Sequence, residues 1–153
     1  MDFASSVALT NLYQMAIAYL LALPIGFNRE RESTGAGLRT FPLVAVASCG
    51  FMLVGIDVLD STDAESRVIY GLITGIGFIG GGSILKGDGS VSGTSTAASI
   101  WNTGAIGMAV AWSRYEVAIL LALINFLTLQ LVPLAKKVAG ADEDDSGQGP
   151  GDE

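Results

Sequence analysis

Ser99, Asn102 and Thr103 stand inside an apolar stretch, just after a run of glycines and hydroxyls from Lys86 to Thr96. Oxygens in that setting can bond across to a neighbouring helix or line a path for a hard cation, which takes oxygen ligands. Both uses are open to Asn102, with Asn125 and Thr74 as its expected partners. Thr94, Thr96 and Ser99 accompany it as candidate pathway residues, although Thr94, Ser95 or Thr96 is read first as a helix cap. Upstream, Gly80, Gly81 and Gly82 each weaken a helix by about 1 kcal/mol relative to alanine. A break there would free carbonyls able to hold a cation, and close helix packing is the simpler use of the same residues.

A second constellation is charged. Arg29, Glu30, Arg31 and Glu32 follow one another, and Arg39 comes seven residues later. Alternating signs at a membrane edge pair with each other or with anionic headgroups. Two glutamates are more than orientation requires, which points to a structured inner-rim cluster closing one end of a bundle. Histidine is absent and Cys49 is the single cysteine. His-bearing triads, the usual zinc sets and an intrachain disulfide are thereby excluded, and no enzyme is expected. Gly75-Ile76-Gly77-Phe78-Ile79-Gly80 matches the dinucleotide pattern, but no strand–turn–helix surrounds it. Gly71, Gly75 and Gly77 read instead as helix-packing residues, with spacings of four (Gly71/Gly75, Gly77/Gly81) that allow close backbone approach.

The elements that must position these residues are apolar runs. Half of the 153 residues are hydrophobic, only 15% are charged, and mean hydropathy is +0.53, against about 25% charge in soluble domains. Five runs stand out: Val7 or Leu12 to Phe27, Phe41 to Val58, Val68 to Leu85, Ala97 to Trp112 and Val117 to Leu134. Each is about 16–21 residues, in or just below the range that spans a bilayer as a helix. None alternates with period two, and no charge lies deep inside any of them. The expected fold is an all-α polytopic transmembrane helix bundle of five spans, residues 1–139. The first run has no basic leader and so does not read as a cleaved signal; Asn28 to Arg31 reads as its stop.

Six Lys or Arg fall on one side (Arg29, Arg31, Arg39, Lys86, Lys136, Lys137) and two on the other (Arg67, Arg114). This bias puts the N-terminus outside and the C-terminus in the cytoplasm. Tyr13, Tyr70, Trp112 and Tyr115 at the outer ends agree, as interfacial aromatics. Net charge is −7, and six of the fifteen acids lie in residues 140–153, an acidic stretch read as a disordered cytoplasmic tail. A pI near 4.4 argues against nucleic acid as a partner. The lipid bilayer is the expected partner, with other membrane proteins and further copies of the chain beside it, since five glycine-rich helices bury little surface alone.

Four stretches together resemble the MgtC/SapB family of bacterial and archaeal membrane proteins. They are Gly26-Phe27-Asn28-Arg29-Glu30, Ala36-Gly37-Leu38-Arg39-Thr40, Gly75-Ile76-Gly77-Phe78-Ile79-Gly80-Gly81-Gly82, and Gly93-Thr94-Ser95-Thr96-Ala97-Ala98-Ser99-Ile100-Trp101 followed by Ala105-Ile106-Gly107. The family commonly has Glu where Asn28 stands and His where Phe41 stands. If those act in relatives as ligands or proton carriers, this chain lacks that group or uses Glu30 or Glu32 instead. The resemblance implies a multi-pass cell-membrane protein linked to magnesium limitation and, in pathogens, to survival inside host cells. It implies two activities: a regulatory module acting on other membrane machines, the proton-driven ATP synthase among them, or a small Mg²⁺ transporter or channel. No resident cofactor is expected, Mg²⁺ being the one candidate ligand. With no acid deep in a span, the residues favour the regulatory module.

Overall fold

The computed structural model describes residues 3–32, 35–87, 90–138 and 140. Five helices follow in order: α1 (Phe3–Glu32), α2 (Thr40–Val58), α3 (Thr62–Gly81), α4 (Thr94–Ala111) and α5 (Tyr115–Val138). Three of them, over Ser5–Arg31, Thr40–Val58 and Tyr115–Ala135, are long and apolar enough to cross a membrane. Helices α3 and α4 are not among these. The first carries Asp63, Glu65 and Arg67 in its opening turns, and the second is built largely from Gly, Ala, Ser and Thr.

Several boundaries differ from expectation for local reasons. Helix α1 does not stop at Asn28 but continues to Glu32. Arg29 and Arg31 sit in its last turn, where the negative end of the helix dipole favours cations. Helix α3 starts before Val68 because Ser61 caps it, its hydroxyl accepting from Ala64 N–H at 3.2 Å. Near the inner end of the third run the triple glycine does not interrupt a helix that then resumes. It ends one, with Gly82 as the C-cap. The stretch after it is a small antiparallel hairpin, β1 (Leu85–Gly87) with β2 (Ser90–Ser92), Leu85 opposite Ser92, rather than a featureless turn. Residues 141–153 of the expected acidic tail lie outside the described residues.

Helix α4 is the axis of the bundle and packs against α1, α2, α3 and α5. Close approach explains its composition. A Cβ on Gly107 would lie 2.2 Å from the Ala45 carbonyl oxygen of α2, and one on Gly104 would lie 2.1 Å from the Ile76 side chain of α3. At such sites backbone meets backbone or a neighbour's tip, and dispersion with Cα–H···O contacts replaces side-chain interdigitation. Around it the core combines small groups, Ala18 and Ala22 from α1, Ala45 and Cys49 from α2 and Ala118 from α5, with larger ones such as Ile25, Phe41 and Met52. Large apolar side chains such as Leu43, Phe51, Phe78 and Leu120 face outward, as a bilayer solvent allows.

Candidate functional site

At one end of the bundle, residues far apart in sequence meet. Gly26 lets the segment after α1 fold back, since a Cβ there would touch the Leu38 Cα at 3.2 Å. The Glu30 carboxylate then accepts the Leu38 N–H at 3.0 Å, and Gly37 lies so close to that carboxylate that a side chain would collide with it. The Gly37 carbonyl in turn accepts from Thr40 and Phe41 N–H at 3.0 and 3.2 Å, which starts α2. On the opposite side Arg29, 8% exposed, donates from Nη2 to the Thr96 hydroxyl at 3.0 Å, joining α1 to the first turn of α4. Gly80 packs on the backbone of Ala97, 3.1 Å from the Ala97 carbonyl oxygen to its would-be Cβ. Gly93 has φ +82° and lies against the Ser83 carbonyl, where a Cβ would stand at 1.9 Å. Only glycine fits both that space and that left-handed backbone.

All four sequence stretches that carry the family resemblance thus converge on one knot. Within it Arg29 and Thr96 are buried, and Asn28, 6% exposed, keeps its Oδ1 without a hydrogen-bond partner among the described residues. Around the knot Glu30, Arg31, Arg39, Thr94 and Ser95 are exposed. Arg31 lies over the Phe27 ring at 5.7 Å. The Glu32 side chain lies outside the described residues. Arg39 makes no hydrogen bond or ion pair among the described residues. Phe41, at the position where the resemblance led us to look for histidine, is fully buried.

The expected pathway residues fall elsewhere or act differently. No hydroxyl caps α4: its N-cap is Gly93, with no side-chain bond, and Thr96 faces Arg29 instead. Ser99 donates to Asn125 Oδ1 at 2.9 Å, and Asn102 donates to the Leu121 carbonyl at 3.1 Å. Asn102 therefore bonds α5 backbone, not Asn125, and Thr74 turns back to the Tyr70 carbonyl of its own helix. Thr103 donates to the Ser99 carbonyl. Gly81 and Gly82 are exposed near the helix end. Gly71, Gly75 and Gly77, expected to pack helices, have nothing within 4 Å of a would-be Cβ. Within the chain that task falls to Gly80, Gly104 and Gly107. Among the described residues no group of three or more His, Cys, Asp or Glu is placed to hold a metal.

One buried residue escaped the sequence reading. Gln14, 5% exposed, donates to the Val110 and Ala111 carbonyls at 3.0 and 3.2 Å and to the Ser113 hydroxyl at 3.4 Å. It satisfies the Ala111 carbonyl, which the end of α4 would leave orphaned, and adds a second donor to the Val110 carbonyl, which also accepts the Ser113 N–H at 2.9 Å. Ser113 at φ 56° and the Arg114 N–H to the Ala109 carbonyl, 2.8 Å, complete that terminus as a Schellman turn. A lone amide in an otherwise apolar run was the available signal.

Residues 15–138 match the MgtC family. The chain is 33% identical over 140 residues to Protein SrpB of Synechococcus elongatus, covering 83% of this chain and 77% of that one. It is 35% identical over 127 residues to a protein of Escherichia coli strain K12 named "Putative magnesium transporter YhiD", covering 78% and 59%. It is 30% identical over 139 residues to Protein SapB of Bacillus subtilis, covering 86% and 60%. The chain thus spans about three fifths of the length of the latter two. No solved structure matches it.

Proposed function

We propose, since the chain belongs to the MgtC family, that it serves magnesium homeostasis as a binding and regulatory module of the cell membrane, acting on other membrane proteins rather than carrying the ion. The observation that supports this reading most is the knot between α1, α2, α3 and α4. The residues that make the chain resemble its family are spent on closing one end of the bundle and on presenting Glu30, Arg31 and Arg39 around it. The amide and hydroxyls deeper in α4 are engaged with α5 or their own helix. A closed end with an exposed charged rim suits docking to a partner.

In this reading all five helices cross the bilayer. At 1.5 Å per residue, α3 and α4 reach about 30 and 27 Å, close to the hydrocarbon thickness. Helix α4 tolerates its polar composition because Thr96, Ser99 and Thr103 lie on its buried side, against its neighbours. The basic rim faces the cytoplasm and the N-terminus lies outside. A cytoplasm-active reporter fused after Glu153 should be active; a silent but expressed fusion would reverse the orientation.

The name of the E. coli relative carries the second reading, magnesium transport. Purified protein in liposomes with a trapped Mg²⁺ dye distinguishes the two. The regulatory reading expects no flux above protein-free vesicles, with or without Asn102→Leu. Flux that falls on Asn102→Leu would replace it with a transporter whose path runs along α4.

A further inference from the structure

An open groove of about 820 Å³ runs along the outside of the bundle between α2 and α3. Leu43, Ala47 and Phe51 form one wall, and Gly71, Gly75 and Ile79 form the other. The helices touch near their short connection, where Gly55 lies against the Val68 side chain. From there the groove extends to Arg39 and Thr40 at the start of α2. The two glycines make it deep: with nothing within 4 Å of their would-be Cβ atoms, α3 presents bare backbone where a leucine would fill the space.

We propose that this groove is a site for one anionic membrane phospholipid, an acyl chain lying between α2 and α3 and the headgroup phosphate held at Arg39. Three observations select that occupant. First, the lining is apolar along its length and carries its one charge, Arg39, at one end. This is the charge pattern of a lipid in mirror image. Second, the length fits. From Arg39 to Phe51 is twelve residues, about 18 Å of helix, close to the ~15 Å of a single leaflet's hydrocarbon. A phosphate at Arg39 therefore stands at headgroup depth while the tail follows the groove inward. Third, Arg39 is exposed and has no acidic partner among the described residues, and the first turn of α2 holds no acid. The guanidinium and the positive end of the helix dipole point the same way.

The same charge disfavours a second copy as occupant. Two chains inserted with the same orientation and paired through this groove by a two-fold axis would place both Arg39 residues at one depth. The lining supplies no carboxylate to separate them.

Native mass spectrometry of the full chain in detergent tests the site, titrating phosphatidylglycerol and phosphatidylcholine of identical acyl chains. One phosphatidylglycerol per chain should be retained, with about fivefold preference over phosphatidylcholine, the factor expected for one arginine–headgroup contact. Arg39→Gln should remove the preference and leave weak binding of both lipids. Gly75→Leu, which builds into open space and so leaves the fold intact, should weaken both lipids by filling the groove. Equal retention of the two lipids by the unaltered chain would overturn the proposal, as would a preference that survives Arg39→Gln. So would a disulfide between Gly75→Cys copies that added phosphatidylglycerol does not suppress, which would assign the groove to a second copy.

Discussion

Helices α3 and α4 are neighbours of nearly equal length, both carrying glycines, and they are packed in opposite ways. Ten of the eighteen residues of α4 are buried, whereas α3 buries Ile76 and Gly80 alone. The same residue type means different things in each. Gly104 and Gly107 exist because another helix occupies the space a side chain would need. Gly71, Gly75 and Gly77 face emptiness. A four-residue spacing of glycines therefore permits close approach without establishing it, and what decides is the presence of a neighbour. Position also explains polarity. Packed against four other helices, α4 can carry Thr96, Ser99, Asn102 and Thr103, because each finds a partner in protein.

The contrast breaks most easily at Gly107. The obstacle there is the Ala45 carbonyl, which is backbone and cannot rotate away, so even one methyl must force α2 and α4 apart. Gly107→Ala should cost about 3 kcal/mol, at the upper end for overpacking, read as an earlier midpoint of helix loss when SDS is titrated into detergent-solubilised protein. An unchanged midpoint would mean that α2 and α4 are not held this closely.

Next in size is the polar clasp at the end of α4. Thr96→Val keeps the shape and removes the acceptor for Arg29, so a buried guanidinium loses a charge-assisted bond worth about 1.5–3 kcal/mol. The same titration should show that loss. Thr96→Ser should restore most of the midpoint, which separates the hydrogen bond from methyl packing. If serine fails to rescue, the clasp acts through packing alone.

Much of this arrangement could be read from the residues, and what could not has physical reasons. The apolar runs located five helices, because burial in lipid or protein demands them. Their ends were harder. Charge does not stop a helix when the cations fall in its last turn, as Arg29 and Arg31 do. Ser61 begins α3 before its hydrophobicity begins. The hairpin of β1 and β2 was hidden because strands of three residues are too short to show an alternating pattern. Of the candidate site, the residue types were visible and the pairings were not. Arg29 and Thr96 are 67 residues apart, and nothing local in either stretch names the other. Asn102 was expected to seek a side chain and found the Leu121 carbonyl, because in a helix pair the neighbour's backbone is also an acceptor.

The smallest expected effect sharpens the comparison most. Gly71→Ala and Gly75→Ala add a methyl where nothing lies within 4 Å. Alanine also favours the helix over glycine by up to about 1 kcal/mol. Each substitution should leave the midpoint unchanged or raise it slightly, the opposite sign to Gly107→Ala for the same chemical change. A fall would mean that something outside the chain presses on α3 as α2 presses on α4. Dilution then identifies it. A penalty that fades as the protein is diluted in detergent belongs to contact between copies, because dissociation removes the clash, whereas a penalty independent of concentration belongs to a molecule held on a single chain, as a phospholipid in the groove would be.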